Sequence, residues 1–428
     1  MIRQAGVNVV CRVLPGHLDT LRTLLGQMGS RPADNEHVPF GAVEGAHFAR
    51  LLLLEPTTAL DGAPIPAQLL LMADFDEPVA ARLAGLVDAA GGGLDAVFGH
   101  CEGYPGPDAA TREARLAYLA AHMVRSDAHY TNTIGRTVAQ VRQEARLREA
   151  IECFLDTRPS WSREDPGQVR AAIQDYVGRD PELAWAASPA AGRDLAWRLG
   201  ELVWLVLVPL VALAVALALL PLVVLALAVY VLVLRRHETT EPVSTEPPSP
   251  EHLQELAALE DHGPQNQFSA IGFVKPTRFR ALTARVVLFL TDYGAHHLFN
   301  RGSLAGVKTI HFARWVALDG RRRMIFASNY DGSVESYMDD FIDKVSWGLN
   351  ATFSNGQGYP RTDFLLLRGA RDELAFKDFL RAHQVPTQVW YSAYERLTAL
   401  NAGNNARIRA GLSGAMSPAE AARWLALL

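Results

Sequence analysis

The chain has 428 residues, of which 49% are hydrophobic, and a formal net charge of −5. This length predicts two or three domains with sizeable cores. The mildly acidic balance argues against a nucleic-acid partner, because duplex binding depends on clustered Lys and Arg against phosphates. Cys11, Cys101 and Cys153 form no CxxC pair, so they favour neither a disulfide framework nor a zinc site, and we expect a reducing compartment and no metal.

The first segment, residues 1–151, alternates strand and helix patterns and ends in a further helix. Short β-branched or apolar runs predict strands at 7–14, 47–55 and 68–75. Helical spacing of apolar residues predicts a helix at 17–28. A second helix, at 78–97, is predicted to weaken at its run of three glycines. This segment is therefore predicted to be an α+β unit, followed by a helical connector at 152–195.

Residues 196–236 form the predicted membrane segment, because 202–234 contain no charged side chain and exceed the roughly 20 residues that cross a bilayer. A single span of 33 residues would be about 50 Å long, far more than a hydrocarbon core of about 30 Å. The alternative is a helical hairpin that bends at Pro221 and returns to the same face. Basic residues mark the cytoplasmic side and flank both ends, which favours the hairpin. They are Arg193, Arg198, Arg235, Arg236 and His237.

Residues 237–262 are acidic and rich in Pro, Ser and Thr, a composition that predicts a disordered linker. Residues 263–428 then repeat the pattern of the first segment. His47-Phe48-Ala49-Arg50 recurs as His311-Phe312-Ala313-Arg314, and residues 73–105 align with 328–360 without a gap, with 10 identities in 33 positions. An ordered series of landmarks at constant spacing predicts an internal duplication.

The predicted order in each copy, β-α-β-β-α-β, is that of the ferredoxin-like unit. Such a sheet leaves one apolar face open, so two copies in one chain are expected to pair as a pseudo-dimer. Both copies would then lie on the cytoplasmic side of the inner membrane.

This element order and duplication resemble the dimeric α+β barrel superfamily over about residues 5–151 and 266–412. The superfamily includes antibiotic-biosynthesis monooxygenases, chlorite dismutases and dye-decolorizing peroxidases. The resemblance implies oxidoreductase chemistry, with haem in the last two groups. The nearest counterpart of the peroxidases' GxxDG motif is Asn329-Tyr330-Asp331-Gly332, which lacks the first glycine. The repeat landmarks also resemble a bacterial membrane-associated family that implies no function.

The candidate ligand-binding residues are polar or aromatic side chains near the repeat landmarks. His and Arg kept in both copies would line a cavity between the sheets or tie the fold together, and we favour the second interpretation. Strand alternation places His311 on the face opposite Phe312 and Arg314. His122 and His383 end helices, where a cation complements the dipole. The candidates are His311, Arg314, Asn329, Asp331, Tyr359, His383, Trp390 and Tyr391, with the counterparts His47, Arg50, Asp74, Asp76, Tyr104 and His122.

Three functional hypotheses follow, and no catalytic residue is assigned. The first is a membrane-anchored ligand-binding or accessory protein, with an inter-repeat cleft for an apolar or lipid-like molecule and the bilayer as its partner. The second is an oxidoreductase of the dimeric α+β barrel type. The third is a non-catalytic scaffold for a partner enzyme. No cofactor is predicted, and haem belongs to the second hypothesis only.

Overall fold

The computed structural model describes residues 3–157, 161, 164–188, 195–244 and 246–428. The protein is a mixed α+β structure with antiparallel sheets and two long apolar helices. The first half follows the predicted alternation. Its elements are β1 (Gln4–Arg12), α1 (Leu18–Gly29), β2 (Ala46–Leu54), β3 (Thr57–Thr58), β4 (Pro64–Ile65), β5 (Gln68–Asp76), α2 (Val79–Ala90), α3 (Gly93–Phe98), α4 (Arg112–Ala121) and β6 (Ala128–Thr131).

The middle of the chain is helical. A short π-helical turn at Val203–Leu207 joins two of its helices, and a break at Leu219 separates the two apolar ones. The helices are α5 (Val138–Asp156), α6 (Pro166–Arg179), α7 (Leu195–Leu202), α8 (Val208–Ala218), α9 (Leu220–Thr240) and α10 (Pro250–Ala257).

The second half repeats the order of the first, with longer helices. Its elements are β7 (Gln265–Phe273), α11 (Arg278–His297), β8 (Ile310–Leu318), β9 (Arg323–Asp331), α12 (Val334–Phe353), β10 (Thr362–Asp363), β11 (Leu367–Arg368), α13 (Glu373–His383), β12 (Val389–Ser392), α14 (Ala399–Gly411) and α15 (Pro418–Leu425).

The two halves exchange their last strands. The first sheet has the order β1-β5-β2-β12, and the second has the order β7-β9-β8-β6. Arg50 therefore pairs with Trp390 across the β2–β12 ladder, and Arg314 pairs with His129 across the β8–β6 ladder. Each sheet is complete only with a strand from the other half.

Before each exchanged strand joins the sheet of the other half, the segment that leads into it pairs with the edge of its own sheet. The amide of Val10 donates to the carbonyl of His122 (3.0 Å), and the amide of Val385 donates to the carbonyl of Ser269 (2.8 Å). The segments that lead into β6 and β12 thus cover the edges of β1 and β7. The two sheets are joined along both sides, and unpaired edge groups are satisfied there.

Both faces of each sheet are buried, which explains the unbroken apolar run in β2. All nine residues of β2 and of β5 are buried. One face of each sheet packs against that half's helices, and the other faces the opposite sheet. Side chains of alternating direction fill the space between the sheets: Leu52, Leu54, Leu70, Met72, Val316, Leu318, Ile325 and Ala327.

The helical connector packs on the C-terminal helices and does not stand alone. Leu147 of α5 and Ile173 of α6 share a core with Ile408 of α14 and Trp424 of α15. Arg170 donates to the carbonyl of Gly411 (2.9 Å). Residues from the predicted connector therefore extend the contact between the two halves.

The apolar segment begins at one end of α11. Two helices, Leu199–Ala218 and Leu220–Thr240, are long and apolar enough to cross a membrane, by length and composition alone. Trp204 stacks on His297 of α11 with 5.6 Å between ring centroids, and its carbonyl accepts the hydroxyl of Tyr293. The start of the segment is therefore fixed to the C-terminal end of α11.

The segment returns to the other end of the same helix. Tyr230 and His237 pack on Phe279 of α11, with ring centroids 5.2 and 5.0 Å apart. The helix breaks at Leu219 (φ −105°, ψ 19°), two residues before Pro221. Proline removes a helical donor and kinks the chain there. The segment leaves α11 and comes back to it through a sharp bend.

The prediction of a disordered linker at 237–262 is corrected by the structure, because much of this segment is ordered. α9 continues to Thr240, and Glu241 forms ion pairs with Arg280 (2.7 Å) and Lys275 (2.9 Å). Ser244 donates its amide to the carbonyl of Gly358 (2.8 Å), and α10 follows. Composition could not reveal these distant cationic partners. Of the predicted flanking charges, Arg193 and the side chain of Arg198 lie outside the described residues.

Candidate functional site

Two duplicated arginines cross between the sheets. Arg50 donates through Nη1 to the carbonyl of Phe268 (2.9 Å) and through Nη2 to the carbonyl of Ser328 (2.9 Å). Arg314 donates in the opposite direction, to the carbonyls of Val7 (3.2 Å) and Ala73 (2.9 Å). Both side chains are buried. They tie the two sheets together.

The centre of this contact is asymmetric because the copies differ there. Asp74 forms a buried ion pair with Arg314 and accepts from His129 Nε2 (3.1 Å). Its counterpart Asn329 accepts from Arg50 and from Trp390 Nε1 (3.2 Å). One carboxylate therefore faces two guanidinium groups.

Burial sets the ionisation of these groups. Burial and the nearby Arg314 lower the pKa of Arg50 to about 9. Burial alone would raise the pKa of Asp74, but Arg314, His129 and Arg50 hold it below its usual value. Burial also lowers the pKa of His129, although Asp74 opposes this.

The duplicated histidines lie on β-bulges, which corrects the predicted facing of His311. The register shifts at His47 and at His311. A bulge turns a side chain out of the simple alternation. The His311 ring therefore contacts Phe48 (5.3 Å between centroids), and His47 contacts Phe312 (5.2 Å), on the side of the sheets that meets the other half.

Each of these histidines is bonded to a carboxylate that caps a helix. His47 Nε2 lies 3.0 Å from Asp76 Oδ1, and His311 Nε2 lies 2.7 Å from Asp331 Oδ1. The second oxygen of each carboxylate accepts the first amide of a helix, Val138 (3.2 Å) or Ala399 (2.7 Å). Carboxylates at helix N-termini are stabilising. These four candidates therefore occupy a repeated structural motif.

The pocket beside the duplicated histidines is small. It has a volume of about 30 Å³ and is lined by His47, His311, Phe312 and Tyr394, among others. A space of this size holds one or two water molecules.

A second pocket, of about 390 Å³, lies where Leu60 and Asp61 of the first half meet the second half. Its lining carries charged side chains, including Arg278, Arg285 and Arg321. Burial of a lipid chain against such groups is unfavourable, so this pocket does not suit an apolar ligand.

The remaining candidates hold turns, helix ends and strand contacts. Tyr359 donates to Asn350 Oδ1 (2.9 Å), and Tyr104 donates to Asp95 Oδ1 (2.6 Å). Tyr391 accepts from Arg142 (3.3 Å). His122 and His383 lie at helix C-terminal ends, and each ring bonds a carbonyl four residues earlier: His122 to Tyr118 (2.8 Å) and His383 to Phe379 (2.7 Å). Burial lowers the pKa of His383, so this ring is not the cation that the helix-dipole argument expected.

A larger cavity lies within the second half, between its sheet and its helices. It has a volume of about 500 Å³, within the range of about 300–1,000 Å³ that is typical of ligand pockets. Its walls carry no charged side chain. They come from β7–β9, α11, α12, α13 and two loops, and include Phe268, Leu290, Phe299, Trp315, Phe341, Trp347, Ala351, Leu366 and Leu380.

A compartment of about 60 Å³ adjoins this cavity. Trp315 and Phe353 line both spaces, and Asn355 and His383 line only the smaller one. Among the described residues, the indole nitrogen of Trp315 and the Oδ1 atom of Asn355 are buried without a hydrogen-bond partner. The apolar cavity therefore adjoins a smaller compartment whose lining residues carry unsatisfied polar atoms.

The sequence reasoning missed this cavity, although the duplication carries a signal for it. The alignment and the strand registers place Trp315 opposite Leu51, and Asn355 opposite His100. Gly272 takes the place of Cys11, which is buried in the first half. Residues that change in size or polarity between the two copies could have marked the site.

The residues present do not fit haem. The cavity walls offer no histidine or cysteine for the iron and no cation for two propionates. His311 and Asp331 are engaged with each other and with α14. Among the described residues, no group of three or more His, Cys, Asp and Glu side chains is arranged to hold a metal ion.

Comparisons of the chain with protein-family models, with curated proteins and with solved structures found no match to any of them.

Proposed function

We propose that this chain is a membrane-anchored protein that binds a lipid-like molecule in the apolar cavity of its second half. One observation carries the proposal. Helix α11 lines a cavity of about 500 Å³ with uncharged walls and also contacts both ends of the apolar segment. The ligand site and the anchor therefore share one structural element.

The cavity opens beside exposed apolar side chains. Leu290, Leu298, Trp347 and Leu366 line it and are between 43% and 59% exposed. Leu282, Val286 and Phe289 extend this exposed apolar surface along α11. Contiguous apolar surface of this kind marks an interaction site. With the apolar segment on the same helix, the bilayer is the partner that this surface suits.

The anchor geometry favours insertion into one leaflet. The contacts of α11 at Phe279 and Tyr293 are about 21 Å apart, and the arms from Trp204 and Tyr230 to the bend at Leu219 are about 22 and 16 Å long. In a triangle with these three sides, the bend at Leu219 lies about 15 Å from α11. That height is half of a hydrocarbon core of about 30 Å. Both halves then lie on one side of the membrane, and the flanking basic residues indicate the cytoplasmic side.

The strand exchange supports the pseudo-dimer of ferredoxin-like units and the likeness to dimeric α+β barrels. Each half contributes the order β-α-β-β-α-β, and each sheet takes its fourth strand from the other half. The ligand site lies in one half, away from the cleft that the sequence indicated. The oxidoreductase hypothesis gains no support from the cavity walls.

Lipid analysis of the purified chain tests the proposal. The full chain, extracted in mild detergent, is expected to carry a stoichiometric lipid-like molecule detectable by mass spectrometry. Ala351→Trp fills the cavity from α12 and should abolish this ligand. Ala382→Trp, at an exposed position on α13, is the matched control and should retain it. A wild-type chain without bound lipid, or equal lipid in both variants, would overturn the proposal.

Cysteine labelling tests the one-sided anchor. Cys153 is exposed in the first half, and Ala382→Cys adds a reporter to the second. An impermeant thiol reagent should label both positions from the same face of sealed vesicles. Labelling from opposite faces would show that the segment crosses the bilayer.

A further inference from the structure

We propose that the ligand is a neutral single-chain lipid with a hydroxyl group, and that this hydroxyl binds in the smaller compartment, which Trp315 and Asn355 line. The inference rests on the proposed function, because it names the chemical class that the same cavity selects. It follows from the polar atoms that the chain leaves without partners there.

Trp315 supplies a donor. Its side chain is only 7% exposed, and its indole N–H has no acceptor among the described residues. Phe326 and Phe353 pack against its ring, with centroids 4.7 and 6.3 Å away. A buried indole N–H usually has a hydrogen-bond partner. An acceptor on a bound ligand would provide one.

Asn355 and His383 supply acceptors. Asn355 is 3% exposed, and its amide nitrogen donates to the carbonyl of Ala351 (3.1 Å), which orients Oδ1 as the free atom. His383 uses Nδ1 at the carbonyl of Phe379, so the neutral ring presents Nε2 as an acceptor. Burial lowers the pKa of His383, which keeps the ring neutral.

A hydroxyl group complements this set. It accepts from the indole N–H and donates one proton to Asn355 Oδ1 or to His383 Nε2. A carboxylate has no proton to donate and finds no cation on the walls, so its burial is costly. A ketone or ester only accepts, and an alkane satisfies none of these atoms.

The residues that shape this compartment differ at the equivalent positions of the first half. Gly272 leaves it open, since a Cβ at that position would lie 3.1 Å from His383 Cδ2. In the first half Cys11 occupies the equivalent position and Leu51 replaces Trp315. His383 has a like counterpart in His122, whereas the indole of Trp315 and the amide of Asn355 belong to the second half alone, where Leu51 and His100 stand in the first.

Chain-matched ligands test the inference. The delipidated full chain in mild detergent is offered equal amounts of hexadecan-1-ol, hexadecanoate and hexadecane, and the bound fractions are measured by native mass spectrometry. The alcohol should bind at least about tenfold better than either competitor, as expected for one or two hydrogen bonds. Trp315→Phe and Asn355→Leu should remove this preference while hexadecane binding persists. Trp347→Phe, which removes an indole at the cavity mouth, should leave the preference unchanged.

The outcomes separate this inference from the proposed function. Equal binding of all three ligands, or preference for hexadecanoate, overturns the hydroxyl assignment and leaves the cavity a lipid site. No binding of any ligand overturns both. If Trp315→Phe does not fold, Gly272→Ala narrows the compartment beside His383 and should reduce binding of the alcohol more than that of hexadecane.

Discussion

Arg50 and Arg314 occupy equivalent positions on strands of the two halves, and each inserts its guanidinium group into the sheet of the other half. Their surroundings are unequal, because Arg314 meets the carboxylate of Asp74 while Arg50 meets the amide of Asn329. The two equivalent arginines are therefore expected to contribute unequally to the free energy of unfolding.

Substitution of the arginines should reveal this difference. Arg314→Met removes the ion-pair partner of the buried Asp74 and leaves it His129 and the charge of Arg50, so the free energy of unfolding should fall by about 3–5 kcal/mol. Arg50→Met leaves only neutral acceptors without donors and should cost about 1–3 kcal/mol. Denaturant unfolding in mild detergent measures both values. Adding Asp74→Leu to Arg314→Met should recover much of the loss, and a double variant no more stable than the single one would contradict the ion-pair assignment.

The stability should decrease as the pH falls from about 7.5 to 5. Burial lowers the pKa of His129 below the usual value for histidine, about 6.5, so the unfolded chain binds a proton before the folded chain does. His129 thus stabilises the fold above pH 6.5, and this contribution is lost as the pH falls through its folded pKa. His296 acts in the opposite direction, because Asp292 raises its pKa.

Replacement of His129 tests whether this residue causes the pH dependence of stability. In His129→Gln, thermal midpoints measured between pH 5 and 7.5 should fall less steeply than in the wild type. An unchanged slope would assign the pH dependence to other groups, such as His383, whose pKa burial also lowers.

The loop that follows Thr362 depends on Glu238. This buried carboxylate, at the end of α9, accepts the amides of Phe364 (3.0 Å) and Leu365 (2.7 Å). Both residues have positive φ angles, of 53° and 67°, which side chains other than glycine rarely adopt. Glu238→Ala should release the loop, cost about 1–3 kcal/mol and speed tryptic cleavage after Arg368. Glu251→Ala, at an exposed position on α10, should leave the cleavage rate unchanged.

Neither half should fold alone, because each sheet needs the other's strand. Residues 1–188 and 249–428 expressed separately should aggregate or self-associate. When co-expressed, they should form a soluble one-to-one complex without the apolar segment, detectable by co-purification and size-exclusion chromatography. Two stable monomers would contradict the exchange of β6 and β12.

The duplication could be predicted in detail from the sequence. The alignment of residues 73–105 with 328–360 agrees with the strand registers, where Ala73 pairs with Val7 and Ser328 pairs with Phe268. Order and spacing of landmarks suffice for this, because both copies fold by the same local rules.

The strand exchange could not be predicted in the same way. The segments around Tyr130 and Tyr391 look like strands, but alternation does not say which sheet a strand joins. The bulges at His47 and His311 could not be predicted either, because one inserted residue does not change the pattern of apolar residues in a recognisable way. The smaller compartment depends on the absence of a side chain at Gly272. An empty volume results from the packing of many residues, so no single residue in the sequence predicts it.

The exchanged strands also set the order of events during synthesis. β6 ends at Thr131 and β12 begins at Val389, 258 residues later. At about 5–20 residues per second, a ribosome needs roughly 13–50 s to cover that distance. Throughout this interval the first sheet has an unfilled edge along β2, while the apolar segment emerges. The nascent first half must therefore be shielded from aggregation until translation is nearly complete, so we expect chaperone dependence to be concentrated in that interval.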